Sequence, residues 1–161
     1  MLVRIVDFPK TRVAVAEHRG PPELEYETSR RLIDWRIRNG LRIDIHQTYG
    51  VHYTDPRSVR PSKHRVDFCV SYEPEVEGNP QGIIGKIIPA NRCALVRHVG
   101  SRARNDAAIY LYEEWLPNSS EETEEFPIFF HYVNVGPHIQ EHEMITDVFL
   151  PLKLRNSRKE A

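Results

Sequence analysis

The search for chemistry in these 161 residues starts with the spacing of histidines and carboxylates. His138-Ile139-Gln140-Glu141-His142 matches His-x-x-Glu-His, a string that holds zinc when a helix brings both imidazoles onto one face. Gly136-Pro137 stand directly before it and a strand pattern follows, so a loop is expected there and no metal. His18 and His98 each stand two residues ahead of a glycine, which suggests one geometric job done twice, such as tying a strand end to its neighbour. Asp67 and Asp147 invite the same structural reading, and Asp55-Pro56 reads as the start of a turn. Cys69 and Cys93 form no short-spaced metal pair and have no basic cluster beside them, so both are expected to be buried thiols. The run Glu121-Glu122-Thr123-Glu124-Glu125 reads as a solvated loop. No nucleophile elbow, phosphate-binding glycine loop or Cys/His ligand set appears, so no catalytic residue and no cofactor is assigned.

The elements that must position these residues come in two copies. At a shift of 80 residues, PKTRVAVAEHRG from Pro9 lies over PANRCALVRHVG from Pro89 without a gap. The same shift puts Trp35 on Trp115 and Asp67 on Asp147. Each copy begins with a period-two strand around Val13 or Leu95, ended by Gly20-Pro21-Pro22 or Gly100-Ser101. A helix follows, from Glu23 to Arg38 with an Asn39-Gly40 stop, and again around Ala107, Leu111 and Trp115 with Pro117 closing it. Two more strands complete each copy, at roughly 46–54 and 64–73, then 127–134 and 143–152. Strand, helix, strand, strand, done twice, predicts an α+β fold: a pseudo-twofold duplicate with two helices over one face of an antiparallel sheet. The units, about 1–76 and 81–153, are too small to cover their sheets alone and are expected to share one domain, 1–153. Residues 154–161 are polar and unpatterned, and a disordered tail is expected there.

Composition narrows the function classes. Hydrophobic residues make up 40% and charged residues 28%, which excludes disorder or a coiled coil as the main character. Lys and Arg (22) balance Asp and Glu (23), so no global field favours nucleic acid or an anionic membrane. The start MLVRIVDFPK lacks the basic and apolar regions of a signal peptide, and no apolar run spans a bilayer; a cytoplasmic protein is expected.

The strings HRGPPEL, GVHYTDPRSVRPSKHRVDFCV, IPANRCALVRHVG, EEWLPNSS, FPIFFHYVN and TDVFLPL, in this order between Val3 and Leu152, resemble the GyrI-like small-molecule-binding domains. These are similar to the effector-binding domains of AraC-type and MerR-type bacterial regulators and to the DNA gyrase inhibitory protein. The resemblance implies a ligand cleft between two halves and a stand-alone member with no helix-turn-helix. It also implies a glutamate within a Pro-x-Phe-Glu-x-Tyr-x-Asn pattern, facing that cleft. Here the matching string is Pro127-Ile128-Phe129-Phe130-His131-Tyr132-Val133-Asn134, with Phe130 in the place of the glutamate. Exchanging a buried anion for a ring shifts the preference toward neutral or aromatic ligands.

Strand alternation puts Phe130, Tyr132 and Asn134 on one face, and the shift of 80 pairs them with Gly50, His52 and Thr54. The expected cleft is lined by Gly50, His52, Phe130 and Tyr132, with Tyr112 and Trp115 reaching it from the second helix. The leading expectation is a protein that binds or sequesters a small lipophilic or aromatic molecule. One alternative is a hydrolase of cyclopropanoid toxins in which Glu113, Glu114 or Asp55 replaces the lost glutamate. Another is a protein-interaction module with gyrase or a regulator as partner.

Overall fold

A computed structural model describes residues 1–154; the predicted tail lies, from residue 155 onward, outside the described residues. Eight strands form one antiparallel sheet: β1 (Arg4–Phe8), β2 (Thr11–Arg19), β3 (Thr48–His52), β4 (Arg65–Ser71), β5 (Ile84–Ile88), β6 (Asn91–Val99), β7 (Phe129–Tyr132) and β8 (Ile145–Leu152). Their spatial order is β1-β6-β8-β7-β3-β4-β2-β5. Adding 80 to the numbers of β1 to β4 reproduces β5 to β8 to within one residue.

The sequence pattern missed β1 and β5. Each unit has a further leading strand, and that strand pairs in the opposite half: β1 with β6, and β5 with β2. Both are five residues long and at the sheet edges, too short for their alternation to stand out. Pro9 and Lys10 alone link β1 to β2, a connection that reaches about 10 Å. In a flat sheet those strands, six places apart, would lie about 29 Å from each other. The sheet must therefore curl until its ends approach, in the sense its strand twist already favours.

Curling gives the sheet a concave core. Phe8 of β1 meets the rings of Phe129 and Phe149 at 4.8 and 5.2 Å, and Tyr49 at 5.9 Å. Cys69 and Cys93 are unpaired and buried in the same core, where burial raises both thiols, that of Cys93 to about 12. Buried charges on this face are paired. Asp67 accepts from Lys86 Nζ and Tyr53 Oη at 2.7 and 2.8 Å, and Asp147 takes a forked pair from Arg97.

Helices cover the outer, convex face. α1 (Glu25–Arg38) has acidic residues in its first turn and arginines in its last, matching its dipole, and Gly40 at φ +64° ends it. Leu32 and Trp35 press it onto Ala14, Ala16 and Val70, small enough to admit an indole. The second helical segment is not one α-helix. α2 (Asp106–Tyr110) runs into a π-helical stretch over Leu111–Trp115, and α3 (Leu116–Asn118) contains Pro117 rather than stopping before it.

His18 and His98 tie strand ends to the turns that follow. His18 Nε2 donates to the carbonyls of Gly20 and Pro21 while Nδ1 accepts from Thr28, and His98 Nε2 donates to Ser101 O. Gly20 and Gly100 sit in those turns at φ +129° and +125°, where a side chain would be strained. The acidic run is not wholly solvated: Glu121 grips Arg92 through two bonds at 2.7 and 2.8 Å. His138 to His142 fall on a loop with one 3₁₀ turn at Glu141–Glu143, so no α-helix aligns the two imidazoles. Among the described residues no helix is long and apolar enough to cross a membrane.

Phe8 is the anchor of an exchanged strand. Phe8→Ala should lower unfolding free energy by about 3 kcal/mol in urea titrations, whereas Ile5→Ala, at a 45% exposed site on the same strand, should cost under about 0.5 kcal/mol. Equal effects of the two substitutions would show that β1 does not anchor the curl.

Candidate functional site

α1 and the second helical segment cover the two ends of the convex face and leave its middle open. The floor is built from the central strands β4, β3, β7 and β8, whose alternation turns Phe68, Thr48, His52, Phe130, Tyr132 and Thr146 outward. α1 forms one wall with Leu32, Ile33, Arg36 and Ile37, and the stretch before α2 forms another with Arg102 and Asn105. The hollow between them has a volume of about 880 Å³.

Aromatic packing shapes the floor. His52 lies against Phe130 with ring centroids 4.1 Å apart and an interplanar angle of 36°. Phe130 meets Tyr132 nearly edge-on at 6.4 Å. Gly50 contributes by having no side chain, since a Cβ there would stand 2.6 Å from Tyr132 Oη. Burial drives the Tyr132 phenol well above its usual range, against the opposing effect of the Arg102 charge.

The polar groups of the cavity divide by the partners that hold them. Glu25 receives a bond from His64 Nε2 at 2.6 Å, and His64 Nδ1 is held by Thr54 Oγ1 at 2.9 Å. Arg36 donates to Thr48 Oγ1 and His46 O, while its buried Nε meets nothing. Arg102 donates to Thr146 Oγ1 and to the carbonyls of Asn134 and Ile145, with its guanidinium 5.1 Å from the Tyr132 ring centre. Burial lowers the affinity of both guanidiniums for their protons, Arg102 being partly compensated by Tyr132. His52 Nε2 is buried without a partner, and burial, with a smaller contribution from His64, holds the imidazole at about 4.

Of the residues the sequence singled out, His52, Phe130 and Tyr132 meet in this cavity, and Gly50 makes room behind them. Tyr112 and Trp115 do not line it. Trp115 packs beneath the second helical segment with Leu111 and Ile128, as Trp35 packs against Tyr72 beneath the first. Leu111 takes the inward position and leaves Tyr112 45% exposed. Glu113, Glu114 and Asp55 are exposed, the last paired with Arg57. Phe68, Arg36, Arg102 and Glu25 were not anticipated. Phe68 follows from its pairing with Gly50, and Arg36 shares the helical face of Leu32 and Trp35. Arg102, in a short 3₁₀ turn, carries no periodic signal.

The model of the GyrI-like small-molecule-binding domain matches residues 1–153. The chain is 35% identical over 152 residues to the probable transcriptional regulator YgiV of Escherichia coli K12, covering 93% of this chain and 95% of that one. The EcmrR C-terminal domain superposes with a TM-score of 0.74 at 16% identity, covering 94% and 97% of the two chains. SAV2435, solved bound to tetraphenylphosphonium, gives 0.60 at 8% identity with 99% of each chain covered.

Two outcomes follow from this packing. Well above pH 6.5 His52 is neutral in both folded and unfolded chains. As pH falls toward 4 the unfolded chain gains a proton that the folded one refuses, so stability is lost across that window and levels off below it. Between pH 7 and 4 the wild type should lose about 3 kcal/mol more than His52→Phe in urea titrations; parallel profiles would refute the assignment. Gly50→Val should cost about 2 kcal/mol by overpacking Tyr132, and Tyr132→Phe should recover part of that loss in a double-mutant cycle.

Proposed function

Because the chain belongs to the GyrI-like small-molecule-binding domain family, we propose that the cavity between α1 and the sheet is its ligand site and that it binds or sequesters a small lipophilic or aromatic molecule. The observation that carries this reading is a hollow of about 880 Å³ floored by Phe130, Phe68 and His52 and walled by Leu32, Ile33 and Ile37. That volume and its mainly apolar lining suit a drug-sized molecule, with a few polar groups to orient it. Tetraphenylphosphonium in SAV2435 is a precedent for a bulky aromatic guest on this fold. Two buried unpaired thiols suit action in a reducing compartment such as the cytoplasm.

Binding is favoured over turnover by the state of the acids. Phe130 occupies the position that the family resemblance gives to a glutamate, and Glu113, Glu114 and Asp55 lie on the exposed surface. Glu25 lines the cavity but is bonded to His64. A general base must reach a water beside the substrate, which none of these acids is set to do.

N-phenyl-1-naphthylamine, a neutral aromatic fluorophore, tests the reading. Saturable enhancement of its emission is expected, with Phe130→Glu weakening the dissociation constant about tenfold by replacing the apolar floor with a charged side chain. Absence of saturable binding, or binding indifferent to Phe130→Glu, would remove this cavity as the site.

A further inference from the structure

Two guanidiniums line the cavity without a carboxylate partner among the described residues. Arg36 is 7% exposed and its Nε has no acceptor. Their anchors lie in one row across the sheet. Thr48 of β3 is paired with Tyr132 of β7, and Tyr132 with Thr146 of β8. Arg36 is held on Thr48 and Arg102 on Thr146, so the two cations are fixed on either side of Tyr132, with anchoring hydroxyls about 10 Å apart. The other ionisable groups of the lining leave a surplus of positive charge. Glu25, which accepts from His64 Nε2, is the one carboxylate of the lining and makes no ion pair with either arginine, and the His52 imidazole is neutral.

Resting on the ligand site proposed above, we infer that the cavity selects amphipathic organic acids, with the apolar body on Phe130 and Phe68 and the carboxylate between Arg36 and Arg102 over Tyr132. A guanidinium stays protonated at any physiological pH and offers paired donors that match a carboxylate fork. Such a bond gains strength in a partly desolvated wall. A lipophilic cation meets two like charges here against a single carboxylate, Glu25, which is held by His64.

One ring system in three charge states tests this: 1-naphthylacetate, neutral 1-naphthylacetamide and cationic 2-(1-naphthyl)ethylamine, each displacing bound N-phenyl-1-naphthylamine. The acetate should bind about tenfold more tightly than the amide or the amine. Arg36→Gln and Arg102→Gln should each reduce that ratio severalfold, and together bring it near unity, each ratio being read within one variant. The wild-type ratio needs no variant, so a substitution that impairs folding leaves the test intact. Equal binding of acetate and amide, tighter binding of the amine, or a preference that survives the double substitution would overturn the inference. Failure of the fluorophore to bind would instead mark failure of the underlying site assignment.

Discussion

The structure depends on a short tether. Two residues, Pro9 and Lys10, join β1 to a strand six places away in the sheet, and Pro89 and Ala90 make the matching join from β5 to β6. Neither link can span a flat sheet, so the sheet bends, and bending creates two unlike surfaces. The concave side closes over aromatic rings from both halves, with Phe8 reaching across from β1. The convex side is too broad for two helices to cover, and the gap between them becomes the cavity. The exchange of leading strands also means that each half takes an edge strand from the other.

The disposition of charge follows the same division. On the concave face, buried acids meet cations at hydrogen-bonding distance: Asp67 with Lys86 and Asp147 with Arg97. The first of these pairs joins the halves, because Lys86 belongs to the exchanged strand β5 while Asp67 lies on β4. Breaking either pair would leave a buried charge uncompensated. Arg36 and Arg102 are bound instead to hydroxyls and carbonyls, which fix their positions and leave their charge unneutralised. Unpaired charge held rigidly in an apolar cavity fits recognition better than stability, since as a purely structural feature it is costly.

Much of this was legible in the chain. The repeat at 80 residues announced the paired halves, and alternation in the string from Pro127 to Asn134 assigned Phe130 and Tyr132 to one face and Phe129 to the other. The tertiary sites of Tyr112 and Trp115 were not legible. Their helical spacing carries no information on which way the helix is turned, and a π-helical stretch over Leu111–Trp115 resets that turn. β1 and β5 were missed because five-residue edge strands gain their stability from partners some 80 residues away, which local pattern does not contain.

By itself the sequence determined residue type, period and duplication: which positions alternate, where glycine must turn the chain at Gly20 and Gly100, and that Phe130 and Tyr132 share a strand face. Those are local properties, fixed by the geometry of neighbouring residues. The tertiary structure alone decided that β1 and β5 change places, that the cavity lies under α1, and that Arg36 and Arg102 stand either side of Tyr132 without a carboxylate. Whether an arginine is paired, solvated or poised toward a ligand depends on groups brought together through space, and 17 arginines in a balanced chain look alike until folding sorts them.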